Sequence, residues 1–260
     1  MRIDLGGRVV LVTGAGRGIG AAIARRAAGA GAQVVLTARS EAELTAVAEQ
    51  IRAAGGRAES IPADLSGEGE IARLVKEALE RCGRIDGLVN NAGTNSIANL
   101  VMMKDSELRR VFELNVFAVF ALSQAVVRAM IRARAGRIIN ISSVSAKIGA
   151  SYNSAYAASK AAILGLTRSL AKETAKVGIT VNAICPWHVD TELVREAMEK
   201  RAKLFGKSGA EYLEEIISHS PQQRLIEADE VAALAVFLLS TEARGITGQS
   251  LNVDGGVVME

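Results

Sequence analysis

The chain has 260 residues, 49% of them hydrophobic, and carries 31 basic against 28 acidic side chains, a net charge of +3. This length and apolar content suffice for one sizeable core, and the scattered basic residues lack the clusters and interleaved aromatics of a nucleic-acid-binding surface. The first apolar run starts by about Arg8, which leaves no space for a signal peptide, and no apolar run approaches the ~20 residues that span a bilayer. We therefore expect a soluble, cytoplasmic protein without a nucleic-acid or membrane partner.

The first element is a short apolar strand at 8–13 that runs directly into a glycine-rich turn and an alanine-rich helical stretch. A strand without internal charges is typical of a parallel strand buried on both faces. Glycines in such a turn let the backbone approach a pyrophosphate, whose charge the next helix N-terminus holds. The turn glycines are Gly14, Gly16, Gly18 and Gly20. Their spacing departs from the usual dinucleotide fingerprint, so a tight turn in another α/β protein stays an alternative.

The second strand, at 33–38, discriminates between the two nicotinamide cofactors. An NAD site commonly places a carboxylate here to bind the ribose 2′-hydroxyl, whereas an arginine suits a 2′-phosphate. This strand ends in Ala38 and Arg39, and the guanidinium of Arg17 in the glycine turn can converge on the same phosphate. The sequence favours NADP(H) over NAD(H); the alternative is that both arginines are solvated surface charges.

Apolar strands alternate with helical stretches along the rest of the chain. The expected strands lie at 8–13, 33–38, 57–62, 86–90, 136–142, 179–184 and 249–253. The expected helices lie near 18–30, 41–54, 67–82, 105–132, 154–177 and 228–240. This alternation predicts an α/β fold, a Rossmann-like doubly wound sheet of seven parallel strands with helices on both faces, in a single domain over residues 1–260.

Tyr156 and Lys160 are four residues apart in the helix expected near 154–177, so they share one face. A free tyrosine has a pKa near ~10, and an adjacent cation moves that pKa toward the working range. Ser143, where the fifth strand ends, can donate to a carbonyl oxygen and stabilise developing charge. The three residues predict proton transfer to an oxygen; a surface pair is the alternative for Tyr156 and Lys160 alone.

The remaining polar residues do not indicate a metal site. His188 and His219 are the only histidines, and no carboxylate or cysteine spacing around them is typical of a metal centre. Cys82 and Cys185 lie far apart in sequence and form neither a metal pattern nor a disulfide framework. We expect no metal and a reducing environment.

A polar helical insertion at about 187–226 interrupts the alternation, with Gly206 and Gly209 as expected breaks. Ligands of doubly wound sheets bind beyond the carboxyl ends of the strands, which is where this insertion starts. We interpret it as a mobile lid over a substrate. A passive pair of surface helices is the alternative.

Taken together, these motifs resemble the short-chain dehydrogenase/reductase family, in its single-domain type, over nearly the whole chain. The stretch 13–20 is similar to the family's Thr-Gly-x-x-x-Gly-x-Gly loop, which explains the glycine spacing. The other matching elements are Asn90-Asn91-Ala92-Gly93 after the fourth strand, the helical Asn115, and Ser143 with Tyr156 and Lys160. The resemblance is greatest to members of the 3-oxoacyl-acyl-carrier-protein reductase type.

The resemblance implies a role for each of these residues. Tyr156 would be the acid/base, while Lys160 would lower its pKa and hold the nicotinamide ribose, and Ser143 would be the catalytic serine. Asn115 would position a water in a proton relay to Lys160; a structural hydrogen bond of the buried amide is the alternative. The implied cofactor contacts are Gly14, Gly16, Arg17, Gly18, Ile19, Gly20, Arg39, Asp64, Leu65, Asn91, Tyr156, Lys160, Val189 and Thr191.

One position departs from the family pattern. Where the family usually has Pro-Gly after the sixth strand, this chain has Pro186 and Trp187. Glycine permits backbone angles that tryptophan resists, so we expect the loop to take another path, which weakens the implied contacts of Val189 and Thr191. Trp187 either lines the substrate pocket or is a packing residue.

The resemblance implies an NADP(H)-dependent oxidoreductase that interconverts a secondary alcohol and a ketone, with a 3-oxoacyl thioester as the leading substrate. Another hydroxy compound, such as a hydroxy acid, steroid, sugar or cyclic alcohol, is the runner-up. A nucleotide sensor without turnover is the alternative from another class. The family also implies a homotetramer, for which small residues on the Tyr156 helix permit close packing; a dimer is the other possibility.

Overall fold

The computed structural model describes residues 3–259. Its strands are β1 (Val9–Thr13), β2 (Gln33–Thr37), β3 (Arg57–Ser60), β4 (Gly87–Asn90), β5 (Gly136–Ile141), β6 (Ile179–Pro186) and β7 (Ser250–Val253). Its helices are α1 (Gly18–Gly29), α2 (Glu41–Ala53), α3 (Glu70–Cys82), α4 (Asp105–Phe112), α5 (Ala118–Ala133), α6 (Ser154–Thr174), α7 (Glu192–Leu204), α8 (Gly209–Ser218) and α9 (Ala228–Leu239). The strands form one sheet in the order β3-β2-β1-β4-β5-β6-β7, and every pair is parallel. The predicted seven-stranded doubly wound sheet is confirmed.

Strand β1 lies at the centre of this sheet, and all of its residues are buried. Val10 and Val12 face the core formed with α1, α2 and α9, whereas Val9 and Leu11 face the core formed with α3 and α5. This alternation follows from the two-residue period of a strand. Strand order reverses between β1 and β4, so a crevice opens beyond the carboxyl ends of these strands.

The helix expected near 105–132 is not continuous. Helix α4 ends at Phe112, a π-helical turn covers Glu113–Phe117, and α5 begins at Ala118. The turn places Asn115, which is fully buried, on the inner side of the helix. Such π-helical turns often mark functional sites because the extra residue redirects one side chain.

Several predicted boundaries were wrong by a few residues. Helix α3 begins at Glu70 rather than near residue 67, because the carboxylate of Asp64 accepts from the backbone of Ser66 and holds a turn first. Strand β6 extends to Pro186 beside β7. Helix α6 ends at Thr174, and its last predicted turn, Ala175–Val177, is a 3₁₀-helix.

The expectation that no apolar run could span a bilayer was wrong for one helical stretch. Residues Asp105–Ala133 are long and apolar enough to cross a membrane by length and composition alone. Half of the apolar window is buried inside the fold, and five of its side chains, Ala118, Leu122, Val126, Val127 and Met130, belong to the core beside α3. The stretch therefore packs as a core helix. Core helices of this length and composition meet the same criteria as membrane-spanning helices.

The insertion after β6 forms the helical pair α7 and α8, separated at 205–208 near the predicted glycine breaks. The pair has a small core of its own made by Met198, Ala202 and Tyr212. The ring of Phe205 stacks on Tyr212 at 5.8 Å and meets Tyr152, just before α6, edge-on at 5.4 Å. These aromatic contacts hold the helical pair against the start of α6.

Candidate active site

A cavity of about 790 Å³ opens beyond the carboxyl ends of the central strands and extends beneath α7. Almost every site residue expected from sequence lines it: Gly14, Gly16, Arg17, Gly18, Ile19, Arg39, Asp64, Leu65, Asn91, Ser143, Tyr156, Lys160, Val189 and Thr191. Gly20 and Asn115 lie behind this lining and support it. The cavity has a nucleotide end at the glycine turn and a substrate end at Tyr156, and these two names are kept below.

The glycine turn depends on residues without a side chain. Gly14 and Gly18 have φ angles of 61° and 55°, in the left-handed region that favours glycine. A Cβ on Gly20 would overlap the carbonyl oxygen of Gly14 and the amide of Asn91. The close approach of α1 to the turn therefore requires Gly20.

The nucleotide end fits an anionic dinucleotide. Helix α1 begins at Gly18 without a side-chain cap and without an acidic residue in its first turn, so its N-terminal amides are available to a phosphate. The buried hydroxyl of Thr37 lines the same end and has no hydrogen-bond partner within residues 3–259. Arg39 is exposed at the rim, where a 2′-phosphate of NADP(H) would lie.

Asn91 and Thr13 fasten the glycine turn to the end of β4. The amide of Asn91 donates to the carbonyl oxygens of Thr13 at 2.9 Å and of Gly14 at 3.1 Å. The hydroxyl of Thr13 accepts from the backbone of Asn91 and of Ala92, both at 2.9 Å. The side chain of Asn91 therefore shapes the cofactor loop in addition to lining the cavity.

Arg17 has a partner that the sequence did not indicate. Its guanidinium pairs with Glu192, the first residue of α7, at 2.6 Å, and both side chains are more than half exposed. A Cβ on Gly18 would also contact the methyl group of Thr191 at 3.2 Å. The start of α7 is thus joined to the glycine turn, and Arg17 would bind a 2′-phosphate only by sharing or leaving Glu192.

At the substrate end, Ser143, Tyr156 and Lys160 lie together, as their sequence pattern predicted. Ser143 follows β5, and its hydroxyl accepts from the backbone of Ser145 at 3.1 Å. The ammonium of Lys160 lies 5.7 Å from the centre of the Tyr156 ring and donates to the carbonyl oxygen of Ile141 at 2.8 Å. Helix α6 therefore presents a phenol and an amine to one point of the cavity.

Asn115 is held by hydrogen bonds on both sides of its amide. Its Oδ1 accepts from the backbone of Thr94 at 2.8 Å, and its Nδ2 donates to the carbonyl oxygen of Thr94 and to the hydroxyl of Ser159. A Cβ on Gly93 would lie 3.2 Å from Asn115 Oδ1 and 3.5 Å from Lys160 Nζ. Asn115 is therefore structural in these contacts and also adjacent to the lysine.

Burial controls the ionisation of this group. Desolvation raises the pKa of Tyr156, while the nearby hydroxyl of Ser143 and the charge of Arg201 act to lower it. Desolvation also lowers the pKa of Lys160 to about 8. The expectation that Lys160 lowers the pKa of Tyr156 was wrong: burial raises that pKa, and the groups that act to lower it are Ser143 and Arg201 rather than Lys160.

Trp187 occupies the family's glycine position with an ordinary backbone, because it is not among the residues with positive φ. It lines the cavity, packs against two hydrophobic clusters and meets the ring of His188 at 4.9 Å. The two interpretations of Trp187, pocket and packing, both hold. Burial lowers the pKa of His188 to about 4, so its imidazole is neutral at pH 7.

The sequence interpretation missed three polar side chains at this cavity: Asn95, Asn153 and Arg201. Asn95 and Asn153 each have a buried Oδ1 without a hydrogen-bond partner in the described chain, and Arg201 has such an Nε. The position of Arg201 could have been inferred from sequence, because it follows Met198 by three residues and so shares the apolar face of α7. No local pattern distinguishes Asn95 or Asn153 from loop residues.

Both cysteines are free, and residues 3–259 contain no cluster of three or more potential metal ligands. Cys82 ends α3, and Cys185 is buried in β6.

Comparison with known proteins gives consistent matches. A family model described as enoyl-(acyl carrier protein) reductase matches residues 14–258. The 3-oxoacyl-[acyl-carrier-protein] reductase of Escherichia coli K12 is 39% identical over 97% of this chain and 98% of its own length. A putative ketoacyl reductase of the granaticin polyketide synthase of Streptomyces violaceoruber is 38% identical over 96% of this chain and 92% of its own length.

Solved structures agree in fold. A phenylalanine-to-tryptophan variant of actinorhodin polyketide ketoreductase with NADPH has a TM-score of 0.94 and 36% identity, covering 96% of this chain and 97% of that one. A putative NAD(P)-dependent gluconate 5-dehydrogenase of Beutenbergia cavernae, with bound NADP, has a TM-score of 0.90 and 38% identity, covering 99% of each chain. These likenesses extend over at least 96% of this chain.

Proposed function

Because the chain belongs to the short-chain dehydrogenase/reductase family, we propose that it is an NADP(H)-dependent oxidoreductase that interconverts a ketone and a secondary alcohol. The observation that carries the proposal is the convergence of Ser143, Tyr156 and Lys160 on a cavity whose other end fits a dinucleotide. Both hydroxyls suit an oxygen that gains charge, which a carbonyl offers and an isolated carbon–carbon double bond does not.

In the proposed mechanism the hydride comes from the reduced nicotinamide of the bound cofactor. Tyr156 protonates the carbonyl oxygen during reduction and removes the alcohol proton during oxidation. Ser143 donates a hydrogen bond to the same oxygen and stabilises its developing charge. Lys160 lies beside the Tyr156 ring and would hold the ribose hydroxyls of a bound nicotinamide cofactor.

Asn115 contributes by position in this proposal. Its side-chain amide holds Thr94 and Ser159 by hydrogen bonds. Its position close to Lys160 suits a water-mediated proton relay. The cofactor contacts proposed are those of the nucleotide end, from the glycine turn, Arg17, Arg39, Asp64, Leu65 and Asn91, together with Val189 and Thr191 near the nicotinamide. The hydroxyl of Thr191 also caps α7 through the backbone of Val194 at 3.4 Å.

A 3-oxoacyl thioester is the leading substrate class. Support comes from the relatives, since reductases named for 3-oxoacyl-[acyl-carrier-protein] from Vibrio harveyi and Escherichia coli match nearly the whole chain at 37% and 39% identity. The cavity also offers apolar side chains to an acyl chain, among them Val144, Leu193 and Met198.

Oxidation of a hydroxy acid is the second candidate. The unpartnered polar atoms of Asn95, Asn153 and Arg201 at the cavity favour a substrate with several polar groups, and a putative gluconate 5-dehydrogenase is among the structural matches. A nucleotide sensor without turnover finds no support in the site, because such a protein does not need Ser143, Tyr156 and Lys160 at one point.

We further propose that each chain is a single domain over residues 1–260 and that four copies form a cytoplasmic homotetramer. Exposed apolar side chains on the α5 side, Phe117, Phe120 and Ile131, support an interface there. On α6, Ala158 is exposed and Gly165 has open space above its Cα, whereas Ala155 is already buried within the subunit. Two free cysteines are consistent with a reducing compartment.

Tyr156→Phe tests the chemistry. Since only the hydroxyl is lost, reduction of acetoacetyl thioesters and of simple ketones, followed by NADPH absorbance, should fall by about 10²–10⁴-fold, while NADPH affinity stays nearly unchanged. Tyr152→Phe is the matched control, because its ring contact with Phe205 remains, and it should keep full turnover. Undiminished turnover in Tyr156→Phe would refute the mechanism.

A further inference from the structure

Arg201 is a partly buried cation that lines the substrate end of the cavity, and the ketone–alcohol chemistry does not use it. It lies on the face of α7 that lines the cavity, in line with Val194, Ala197 and Met198 at helical spacings of three and four residues. Its Nε is buried and has no hydrogen-bond partner among residues 3–259. An unpaired guanidinium donor away from water is unfavourable, so the fold keeps it there at a cost to stability.

Arg201 and Tyr156 line the same cavity, Arg201 from α7 and Tyr156 from α6. The charge of Arg201 acts to lower the pKa of both Tyr156 and His188. This charge therefore acts on the substrate end of the cavity, where Coulomb interactions are screened less than in bulk water.

Three of the other cations that line the cavity are already engaged, and the fourth, Arg39, lies at the nucleotide end. Lys160 donates to the carbonyl oxygen of Ile141, Arg17 pairs with Glu192, and Arg110 pairs with Glu107 and the hydroxyl of Thr94. His188 is neutral at pH 7 because burial lowers its pKa to about 4. An anion that enters the substrate end therefore meets Arg201 as its available cation.

We propose that Arg201 binds a carboxylate of the substrate, so that the enzyme prefers oxo acids and hydroxy acids with a free carboxylate over their uncharged counterparts. A guanidinium matches a carboxylate with two parallel hydrogen bonds, and the buried setting strengthens this charge-assisted pair. The inference rests on the proposed ketone–alcohol chemistry but not on the thioester as substrate. Arg201 is then a specificity-determining residue, and the proton transfer stays with Tyr156.

The test compares acids with their methyl esters, which differ in charge but share a carbon skeleton. The probes are 3-oxobutanoate, 4-oxopentanoate and 5-oxohexanoate with their methyl esters, because this series moves the carboxylate away from the carbonyl in steps of one carbon. At the best length, kcat/KM for the acid should exceed that for the ester at least about tenfold, or ~1.4 kcal/mol. The neutral thioester of 3-oxobutanoate with N-acetylcysteamine should behave like the esters.

Arg201→Met should reduce the acid-to-ester ratio to about one, mainly by raising KM for the acid. Lys200→Met is the matched control, since it removes a cation from an exposed position of the same helix and should preserve the ratio. Arg201→Lys should restore part of the preference, which shows that charge rather than helix packing is responsible. Equal kcat/KM for acids and esters in the unmutated enzyme, or an unchanged ratio in Arg201→Met, overturns the inference.

A binding measurement separates this inference from the proposed function. If no acid or ester is reduced, the ketoreductase proposal fails, and the NADP⁺-loaded protein is titrated with 4-oxopentanoate by the fluorescence of Trp187, the single tryptophan. Weaker binding in Arg201→Met than in Lys200→Met supports the carboxylate site. Equal binding in the two variants overturns it.

Discussion

The two ends of the cavity are built by different means. At the nucleotide end, the backbone forms the binding surface, through the positive φ angles of Gly14 and Gly18 and the free amides at the start of α1. At the substrate end, side chains from the insertion define the surface, with Trp187, His188 and Arg201 as its main polar and aromatic groups. A backbone-defined site accepts one class of ligand, whereas a side-chain-defined site changes its ligand with few substitutions.

Gly20 provides the most severe way to break the nucleotide end. In Gly20→Ala the new Cβ meets the carbonyl oxygen of Gly14, a backbone atom that cannot move aside like a flexible side chain. We expect a loss of about 3 kcal/mol of unfolding free energy and at least about tenfold weaker NADPH binding. Urea denaturation and fluorescence titration with NADPH measure the two effects.

Gly29→Ala is the control for this prediction. Gly29 is the last residue of the same helix, and a Cβ there has no neighbour within 4 Å. The substitution should stabilise the fold by about 0.4–1 kcal/mol through the unfolded chain and leave NADPH affinity unchanged. If the two alanine variants behave alike, the close approach at Gly20 does not determine cofactor binding.

The same contrast explains which parts were predictable from sequence. The strands and the glycine turn carry short-range signals, because a buried parallel strand needs an uninterrupted apolar run and a tight turn needs glycine. The Tyr156 and Lys160 pair is also local, since helical spacing alone places both residues on one face. The sheet, the glycine turn and the Tyr156–Lys160 pair followed from these signals, whereas Asp64, Leu65, Asn91, Val189 and Thr191 were implied only by the family resemblance.

The parts that sequence did not reveal depend on contacts between distant segments. The pair Arg17 and Glu192 joins residues 175 positions apart, and the π-helical turn at Asn115 reflects hydrogen bonds to Thr94 and Ser159. The apolar window in 105–133 was missed because a few polar residues interrupt its apolar run. Its mean hydropathy nevertheless stays high enough for a membrane-spanning helix. The burial that raises the pKa of Tyr156 likewise arises only in the folded chain.

His188 provides a pH-dependent test of the substrate end. Its pKa in the fold is about 4, below the ordinary 6.5, because burial disfavours the charged imidazolium. The unfolded chain therefore binds a proton at a higher pH, and the contribution of this histidine to stability is present above pH ~6.5 and lost as the pH falls toward 4. Between pH 7.5 and 4.5 the loss from this residue should be ~2 kcal/mol.

Denaturation of His188→Gln at both pH values checks this expectation. The variant should lose less stability on acidification than the unmutated protein, because glutamine does not titrate. His219→Gln, at an exposed position, is the control for replacing a histidine by glutamine. If the two variants show the same pH dependence, His188 is not held in its neutral form.

The contact between the two ends, Arg17 with Glu192, should give the smallest effect, since both side chains are more than half exposed and such pairs contribute little to stability. Glu192→Gln removes a carboxylate that competes with a phosphate for Arg17, so NADPH binding should tighten by about two- to fivefold.

The comparison of NADPH with NADH shows which phosphate Arg17 contacts. If its guanidinium serves the 2′-phosphate, NADPH gains affinity and NADH does not; if it serves the pyrophosphate, both cofactors gain equally. Glu196→Gln, one turn further along the exposed side of α7, is the control for a change in overall charge. Affinities for both cofactors that match those of this control would show that Glu192 does not restrain Arg17. The nucleotide end would then work independently of the insertion.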